Sequence, residues 1–250
     1  MKVSIITIAY NSEEVIRRTI ESVLSQTCYD QSCHELEYLI IDGASKDRTV
    51  EVAESYRGRA EALGMIYKVY SEPDQGIYHA MNKGICRASG DIIGIINSGD
   101  RYEKGAVETA VNTFHNSNCE LFFADICIIK ENGRRFIKKA RLRGFQTSRD
   151  WNHPTMFVKA ELYKENPYRQ LGIHDDYGFY LQMRRQNRHI AIVSEVLAEF
   201  YMGGASNHKS LKDARKRIMD RYRYCYRING YSRLYMIECI VMEAAKYLLS

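Results

Sequence analysis

The feature of this 250-residue sequence that most constrains its fold is a series of short, β-branched apolar runs that each end in a polar turn. Residues 3–9 form the first run, and the turn-like Tyr10-Asn11-Ser12 follows it. Residues 38–41 form the second run, which ends at Asp42-Gly43. Runs of this length and composition predict buried strands. Two more strands are predicted around residues 65–70 and 91–96.

Helical segments separate these strands. We expect Ser12 to cap the first helix, with acidic residues in its first turn, where the helix dipole favours negative charge. Asp47 or Ser45 is expected to cap a second helix near residues 47–63, and a third helix covers residues 76–88. Strand–helix alternation with short connections predicts an α/β fold in which helices cover both faces of a parallel sheet.

The second half of the chain has a mixed pattern. Strands are predicted at residues 121–129 and 135–139, joined by a turn at Glu131-Asn132-Gly133-Arg134. A helix is predicted at 175–187 and a strand at 190–201. From about residue 210 we expect helices, with a break near Asn229-Gly230.

Composition limits the classes of function. Apolar residues make up 45% and charged residues 27% of the chain, which is typical of a globular domain. No leader peptide or membrane-spanning run is recognised, so we expect a cytoplasmic protein. Cys28, Cys33 and His34 come nearest to a metal cluster, but they lack a second ligand pair, and the seven cysteines are expected to be reduced thiols. A formal charge of +5 is modest for a nucleic-acid binder.

Polar residues follow three of the predicted strands at their carboxyl ends, where ligands bind in open α/β sheets. Asp100 is either a ligand of Mg²⁺ or Mn²⁺ or a simple turn residue. Asp42 either accepts hydrogen bonds from a base or ribose or caps its turn. Asp176 is either a general base or a helix cap, and His153 contacts a phosphate or metal or is structural.

Several motifs in the first 105 residues occur together in a specific order and spacing. The sequence resembles the family 2 glycosyltransferases, whose catalytic domain has the GT-A fold, a Rossmann-like and mostly parallel sheet flanked by helices. The resemblance is closest to bacterial members that build capsule, lipopolysaccharide or exopolysaccharide. The motifs that carry it are residues 3–11, 22–26, 41–49, 71–85, 89–91 and 97–100, with weaker matches at 151–154, 176–177 and 203–206.

The resemblance implies an inverting transfer of a hexosyl or N-acetylhexosaminyl group from a nucleoside-diphosphate sugar to a saccharide or lipid-linked acceptor, with a UDP-sugar as the expected donor. It implies that Asp100 is the metal-binding residue and Asp176 the catalytic base. The donor pocket is then formed by Ala9, Asn11 and Asp42, with Asp74, Asn82, Lys83, Asn97 and Ser98 as further candidates.

Two departures from the family pattern affect these expectations. The turn Asn97-Ser98-Gly99-Asp100 has one carboxylate where many relatives have two or three, which predicts weak metal affinity or greater reliance on donor phosphates as ligands. His79 stands where close relatives carry Asp. Both departures keep open the alternative of a non-catalytic nucleotide-binding partner in a polysaccharide assembly complex. A nucleotidyltransferase is disfavoured because no Gly-rich phosphate loop follows the first strand.

Residues 1–206 are predicted to form the catalytic domain, with a nucleotide-binding half at 1–105 and an acceptor half at 106–206. Residues 207–250 form a C-terminal extension rich in Lys, Arg and Tyr. A basic, aromatic surface beside an amphipathic helix suits the anionic face of a membrane, here the inner face of the cell membrane. The alternatives are that the extension packs on the catalytic domain or forms a homodimer contact. Nucleic acid is not expected as a partner, because no nucleic-acid motif accompanies the basic residues.

Overall fold

The computed structural model describes residues 1–26, 35–202 and 211–248. The cysteine and histidine group near residue 30 and the weak match at 203–206 lie outside the described residues, so those two expectations are not addressed by the structure.

Four parallel strands form the first half of one sheet. They are β1 (Lys2–Ala9), β2 (Glu35–Asp42), β3 (Ile66–Ser71) and β4 (Ile92–Ile95), in the spatial order β3-β2-β1-β4. The register places Ala9 beside Asp42, and Asp42 beside Ser71. The carboxyl ends of these strands therefore meet at one edge, as the apolar runs predict.

The second half of the sheet is mixed rather than parallel. It contains β5 (Arg101–Tyr102), β6 (Leu121–Ile129), β7 (Arg135–Lys138), β8 (Phe157–Lys159) and β9 (Ile190–Tyr201). Strand β8 runs antiparallel to both β4 and β6, whereas β9 runs parallel to β6 and antiparallel to β5. β6 and β7 are antiparallel because the tight turn at Gly133, where φ is 78°, reverses the chain between them.

Helices cover both faces of the sheet. The nine α-helices of the described residues are α1 (Ile16–Leu24), α2 (Thr49–Glu54), α3 (Arg57–Ala62), α4 (Ile77–Arg87), α5 (Ala106–Asn116), α6 (Ala160–Glu165), α7 (Asp175–Arg185), α8 (Leu211–Arg221) and α9 (Tyr235–Leu248). Val3 and Ile5 contribute to a core with α1 and α5, whereas Ile6 and Ile8 contribute to a second core with α4 and α7, as the two-residue period of a strand requires.

Two helix predictions were wrong in detail. Helix α1 begins at Ile16, and the Ser12 hydroxyl donates to the Tyr10 carbonyl oxygen instead of capping the helix. The predicted helix at 47–63 is two short helices, α2 and α3. Asp47 does serve the start of α2, because its carboxylate accepts a hydrogen bond from the Thr49 amide at 3.0 Å.

The described part of the C-terminal extension packs on the acceptor half of the sheet domain. Tyr226 is fully buried, and its hydroxyl lies 3.1 Å from that of Tyr177 in α7. The Asn229 amide donates to the Gly178 carbonyl oxygen at 3.0 Å, and the chain turns at Gly230, where φ is 72°. The expectation of an aromatic surface was therefore wrong for Tyr226 and for Tyr222, which is also buried. None of the helices in the described ranges has the length and apolarity needed to cross a membrane.

Candidate functional site

The turns that follow β1 and β2 are tied to each other by hydrogen bonds. Asn11 has a φ of 46°, a left-handed conformation that Asn adopts more readily than most residues. Its backbone amide donates to the Ser45 hydroxyl at 2.8 Å, and its side-chain oxygen accepts from the Lys46 amide at 2.9 Å. Asn11 is exposed, and Ala9 beside it is buried. The sheet edge thus has a fixed backbone frame at the position predicted for a nucleotide.

Asp42 is a buried carboxylate at the centre of this frame. It accepts hydrogen bonds from the Ser45 amide at 2.9 Å and from the Ser71 hydroxyl at 2.6 Å. The Ser45 hydroxyl also donates to it. These contacts match the turn-capping alternative, and a direct contact of Asp42 with a nucleotide stays a prediction.

Asp74 lies against the turn after β2. One of its oxygens accepts from the Gly76 amide at 2.8 Å, immediately before α4. A Cβ at position 43 would lie 2.6 Å from its other oxygen, so only glycine fits there without a shift. His79 closes the same turn, because its Nδ1 accepts from the Gln75 amide at 3.0 Å. The His79 departure therefore has a local structural role.

Asn82 and Lys83 bind protein groups rather than the open edge. The Asn82 amide nitrogen donates to the Tyr168 carbonyl oxygen at 2.8 Å, and its oxygen accepts from the Tyr168 amide at 2.9 Å. Lys83 donates to the Pro73 carbonyl oxygen at 2.6 Å and pairs with Glu72 at 3.3 Å. Both side chains support the walls of the site, and a direct contact with a donor stays a prediction.

The turn after β4 brings Asp100 to the same edge. Asp100 is 4% exposed, and its carboxylate accepts a hydrogen bond from the Tyr201 amide at 3.1 Å. Burial raises the pKa of this carboxyl to about 7. Thr19 of α1 fixes the turn, donating to the Asp100 carbonyl oxygen at 2.7 Å and accepting from the Gly99 amide at 2.8 Å. Gly99 has a φ of 98°, which a side-chain-bearing residue rarely adopts.

The oxygen atoms of Asn97 and Asp100 are of the kind that bind a divalent cation, provided that phosphates or waters supply its remaining ligands. Asn97 Oδ1 is buried and has no hydrogen-bond partner among the described residues, and the Ser98 hydroxyl donates to Ser12 at 2.8 Å. In the described chain, no group of three or more His, Cys, Asp or Glu residues forms a complete protein cage. Mg²⁺ and Mn²⁺ prefer oxygen ligands, and Mg²⁺ commonly keeps one or two protein carboxylates with phosphates and waters. Asp100 and Asn97 fit that pattern.

Asp176 is joined to the nucleotide half of the site by Tyr78. The Tyr78 hydroxyl, on α4, donates to the Asp176 carboxylate at 2.9 Å. The same oxygen accepts from the Tyr177 amide at 2.7 Å. The neighbouring Asp175 is buried and accepts from the Leu171 amide at 2.6 Å, so it holds the preceding loop. Asp176 is half-buried and contacts α4 through Tyr78, and its role as a general base stays a prediction.

His153 occupies an aromatic interior instead of a ligand position. It is buried, and its Nε2 lies 3.3 Å from the Tyr168 hydroxyl. The Trp151 ring lies 5.9 Å from its own ring. Burial lowers the pKa of this imidazole, so it is neutral at physiological pH. These contacts match the structural alternative for His153.

Sequence reasoning missed two side chains that the structure places at the site. Tyr78 lies inside a motif that was recognised, but its partner is 98 residues away. Arg18 lies in the first turn of α1, and its guanidinium stacks 3.9 Å from the centre of the Tyr201 ring. Arg18 directly precedes Thr19, and Thr19 holds the Asp100 turn. The sequence could have placed Arg18 at the site only if that role of Thr19 were already known.

Comparison with known proteins gives one family and one fold. Residues 4–188 match the sequence model of Glycosyl transferase family 2. The chain is 30% identical over 131 residues to TuaG of Bacillus subtilis (strain 168), a glycosyltransferase named for teichuronic acid biosynthesis. That match covers 52% of this chain and 49% of TuaG. The chain therefore spans about half the length of this curated relative.

Solved structures share the fold at low sequence identity. Residues 1–349 of TarS from S. aureus in complex with UDP-GlcNAc give a TM-score of 0.64 at 18% identity, over 100% of this chain and 73% of that one. The mannosyltransferase PcManGT from Pyrobaculum calidifontis, in complex with GDP-Man and Mn²⁺, gives 0.64 at 15% identity, over 98% of this chain and 70% of that one. The predicted GT-A architecture is confirmed.

Proposed function

The chain belongs to glycosyl transferase family 2, and from that premise we propose that it transfers a sugar from a nucleoside-diphosphate sugar to a hydroxyl group of a saccharide or lipid-linked acceptor. The observation that carries this proposal is the link between Tyr78 and Asp176. It joins a carboxylate on the acceptor half to the helix that begins beside the Asp42 turn. Helix α4 thus connects the carboxylate that we propose as the base with the polar sheet edge that we propose for the donor.

We assign the donor to the edge formed by the turns after β1, β2 and β4. The frame of Asn11 and Asp42 would receive the nucleoside, and the Asn97–Asp100 turn would face the diphosphate. UDP is the favoured nucleotide, since TarS binds UDP-GlcNAc, whereas the GDP-Man complex of PcManGT keeps GDP as an alternative. A divalent cation held by Asp100 and Asn97 would neutralise charge on the leaving diphosphate.

The reaction is an inverting displacement. The acceptor hydroxyl oxygen forms a bond to the anomeric carbon while the bond from that carbon to the diphosphate oxygen breaks. The hydroxyl proton passes to Asp176, and the electron pair leaves with the nucleoside diphosphate. Tyr78 holds Asp176 toward α4, which keeps the base and the donor in one geometry. Whether the sugar is a hexose or an N-acetylhexosamine is decided by the donor panel described below.

We place the reaction in the synthesis of bacterial surface polysaccharide. TuaG is named for teichuronic acid biosynthesis. Exposed apolar side chains at the start of α9 support contact with the inner face of the cell membrane, where a lipid-linked acceptor would lie. Leu234, just before the helix, is 69% exposed, and Ile237, within it, is 60% exposed.

A panel of UDP- and GDP-sugars with Mn²⁺ tests the proposal. We expect nucleoside diphosphate release from one donor, which falls at least about 100-fold in Asp100→Ala and in Asp176→Asn. Asp213→Asn, a change to an exposed carboxylate on α8, is the matched control and should retain activity. Nucleotide binding without turnover, unaffected by Asp176→Asn, would favour the non-catalytic partner. A wild-type protein that binds no nucleotide sugar would refute the proposal.

A further inference from the structure

Arg18 is a cation held against the turn that carries Asp100. Its neighbour Thr19 makes two hydrogen bonds to that turn, which fix the first helical turn of α1 beside it. A Cβ at position 99 would lie 3.2 Å from a terminal nitrogen of the Arg18 guanidinium. The guanidinium therefore lies next to the backbone of Asn97–Asp100, where the donor diphosphate is expected under the proposed function.

Tyr201 forms a rigid platform for this guanidinium. Its amide donates to Asp100, its hydroxyl donates to Glu199 at 3.0 Å, and its ring lies under Arg18 at 3.9 Å. One face of the guanidinium is thus covered by an aromatic ring, an arrangement that orients the planar group without using its N–H donors.

The charge of Arg18 is not neutralised by a carboxylate in direct contact. Within the described residues, its Nε is buried without a hydrogen-bond partner, and no ion pair within 4.0 Å joins its guanidinium to an acidic side chain. Its positive charge acts on Asp100 from a longer distance and lowers the pKa of that carboxyl against the effect of burial. A partly buried guanidinium whose Nε has no hydrogen-bond partner is costly unless an anion completes its contacts.

We propose that Arg18 binds the diphosphate of the nucleotide donor and stabilises it as a leaving group. The inference rests on the proposed function, because it takes the ligand to be a nucleoside-diphosphate sugar. Guanidinium groups bind phosphate oxygens through paired N–H donors. The Asn97–Asp100 turn has a single carboxylate, for which weak metal affinity is expected. Arg18 would supply part of the positive charge that a metal provides.

Binding of UDP and GDP, compared with uridine and guanosine, tests the role of Arg18. Dissociation constants are measured by calorimetry, in EDTA and in Mn²⁺, for the wild type, Arg18→Met, Arg18→Lys and the adjacent control Arg17→Met. We expect Arg18→Met to weaken binding of the nucleoside diphosphate about 10- to 100-fold, with nucleoside binding unchanged. Arg18→Lys should retain part of the affinity, and Arg17→Met should behave as wild type. The loss should be larger in EDTA than in Mn²⁺.

Two other results would overturn the inference. If Arg18→Met binds UDP and GDP as tightly as the wild type, the guanidinium does not contact the diphosphate. If nucleoside and nucleoside diphosphate are weakened equally, Arg18 only supports the Tyr201 platform. Failure of the proposed function is distinguishable, because the wild type would then bind neither UDP nor GDP in either buffer. Thermal unfolding of each variant confirms that a folded protein is compared.

Discussion

The Tyr78 hydroxyl and the Tyr177 amide both donate to one oxygen of Asp176, and the hydroxyl is the contact that reaches it from α4. Burial and the nearby Asp176 carboxylate raise the pKa of Tyr78 well above its usual value, so the hydroxyl keeps its proton and donates. Replacement by Phe keeps the ring, which packs 5.4 Å from the Tyr168 ring, and removes only the donor. The variant therefore separates packing from hydrogen bonding.

We predict that Tyr78→Phe lowers kcat about 10-fold and leaves the KM for the donor little changed. The variant removes the hydroxyl that donates to Asp176, so the carboxylate is held less firmly beside α4. Both constants are measured with saturating acceptor and varied donor. Tyr70→Phe, on β3 and stacked under Arg87, is the control and should leave both constants unchanged. An unchanged kcat in a folded Tyr78→Phe variant would contradict the orienting role.

Asp100 gives a second prediction, in which the buried carboxylate affects stability. Its pKa in the folded protein is about 7, above the value of about 3.9 expected in an unfolded chain. The folded state therefore binds more protons than the unfolded state between these values. Without metal, the free energy of unfolding should fall by up to roughly 1.4 kcal/mol per pH unit as pH rises from 4 to 7, and the penalty should be complete above 7.

Urea denaturation in EDTA at pH 5, 6, 7 and 8 measures this effect. The comparison is with Asp100→Asn, which keeps an oxygen for the Tyr201 amide and carries no charge. The variant should gain stability relative to the wild type as pH rises, and Mn²⁺ should stabilise only the wild type. A constant difference between the two proteins across this range would contradict the prediction.

At the scale of elements, α4 joins the two halves of the site. Its Asn82 side chain binds the amide and the carbonyl oxygen of Tyr168, which lies in the loop before α7. Loss of a paired, partly buried hydrogen-bond set costs about 1–3 kcal/mol. We therefore predict that Asn82→Ala lowers the free energy of unfolding by about that amount.

The Asn82→Ala variant also distinguishes two roles of the Asn82 side chain, which either supports the Tyr168 loop or contacts the nucleotide donor. A supporting role predicts reduced stability with an unchanged UDP dissociation constant at low temperature. Direct donor contact predicts the reverse, a weaker dissociation constant with little change in urea midpoint. Lys83→Ala, which removes the contacts to Pro73 and Glu72 one residue along the helix, provides the comparison.

Elements were predictable where the relevant information is local. Apolar runs that end in turn residues predicted β1, β2 and β4, and with them the positions of Asn11, Asp42 and Asp100. The pairing of β8 between β4 and β6 was not predictable, because the three strands are far apart in the sequence and share no local signal. The contact of Arg18 with the Tyr201 ring was hidden for the same reason.

At the scale of the whole molecule, the described part of the C-terminal extension has both a buried face and exposed apolar side chains. Tyr226 and Cys239 are buried on the side that contacts the sheet domain. Other large apolar side chains of the extension are exposed and do not belong to that core. These are Ile228, Leu234, Ile237, Ile240 and Val241. Single exposed hydrophobic residues are normal on a protein surface, whereas a group on one short segment indicates a contact surface.

Exposed basic residues border this apolar group and favour a lipid surface over a second copy of the chain. Arg223, Arg227 and Arg233 are exposed beside it. Two copies that met through this face would bring these like charges together, whereas an anionic bilayer would pair them with headgroups. We therefore expect the protein to sediment with vesicles that contain phosphatidylglycerol, and to do so less at high salt.

The double variant Leu234→Glu with Ile237→Glu tests this contact surface. We predict about a 10-fold or greater loss of vesicle binding, because the substitution removes two side chains that would enter the interface and adds negative charge toward an anionic surface. Leu63→Glu changes a comparably exposed leucine, at 53%, on the far side of the sheet near α3 and should bind vesicles as the wild type does. If the double variant instead abolishes a dimer seen by sedimentation velocity and leaves vesicle binding intact, the surface contacts a second copy. Activity on a water-soluble acceptor should be unchanged in both variants, since the substituted side chains are largely exposed to solvent.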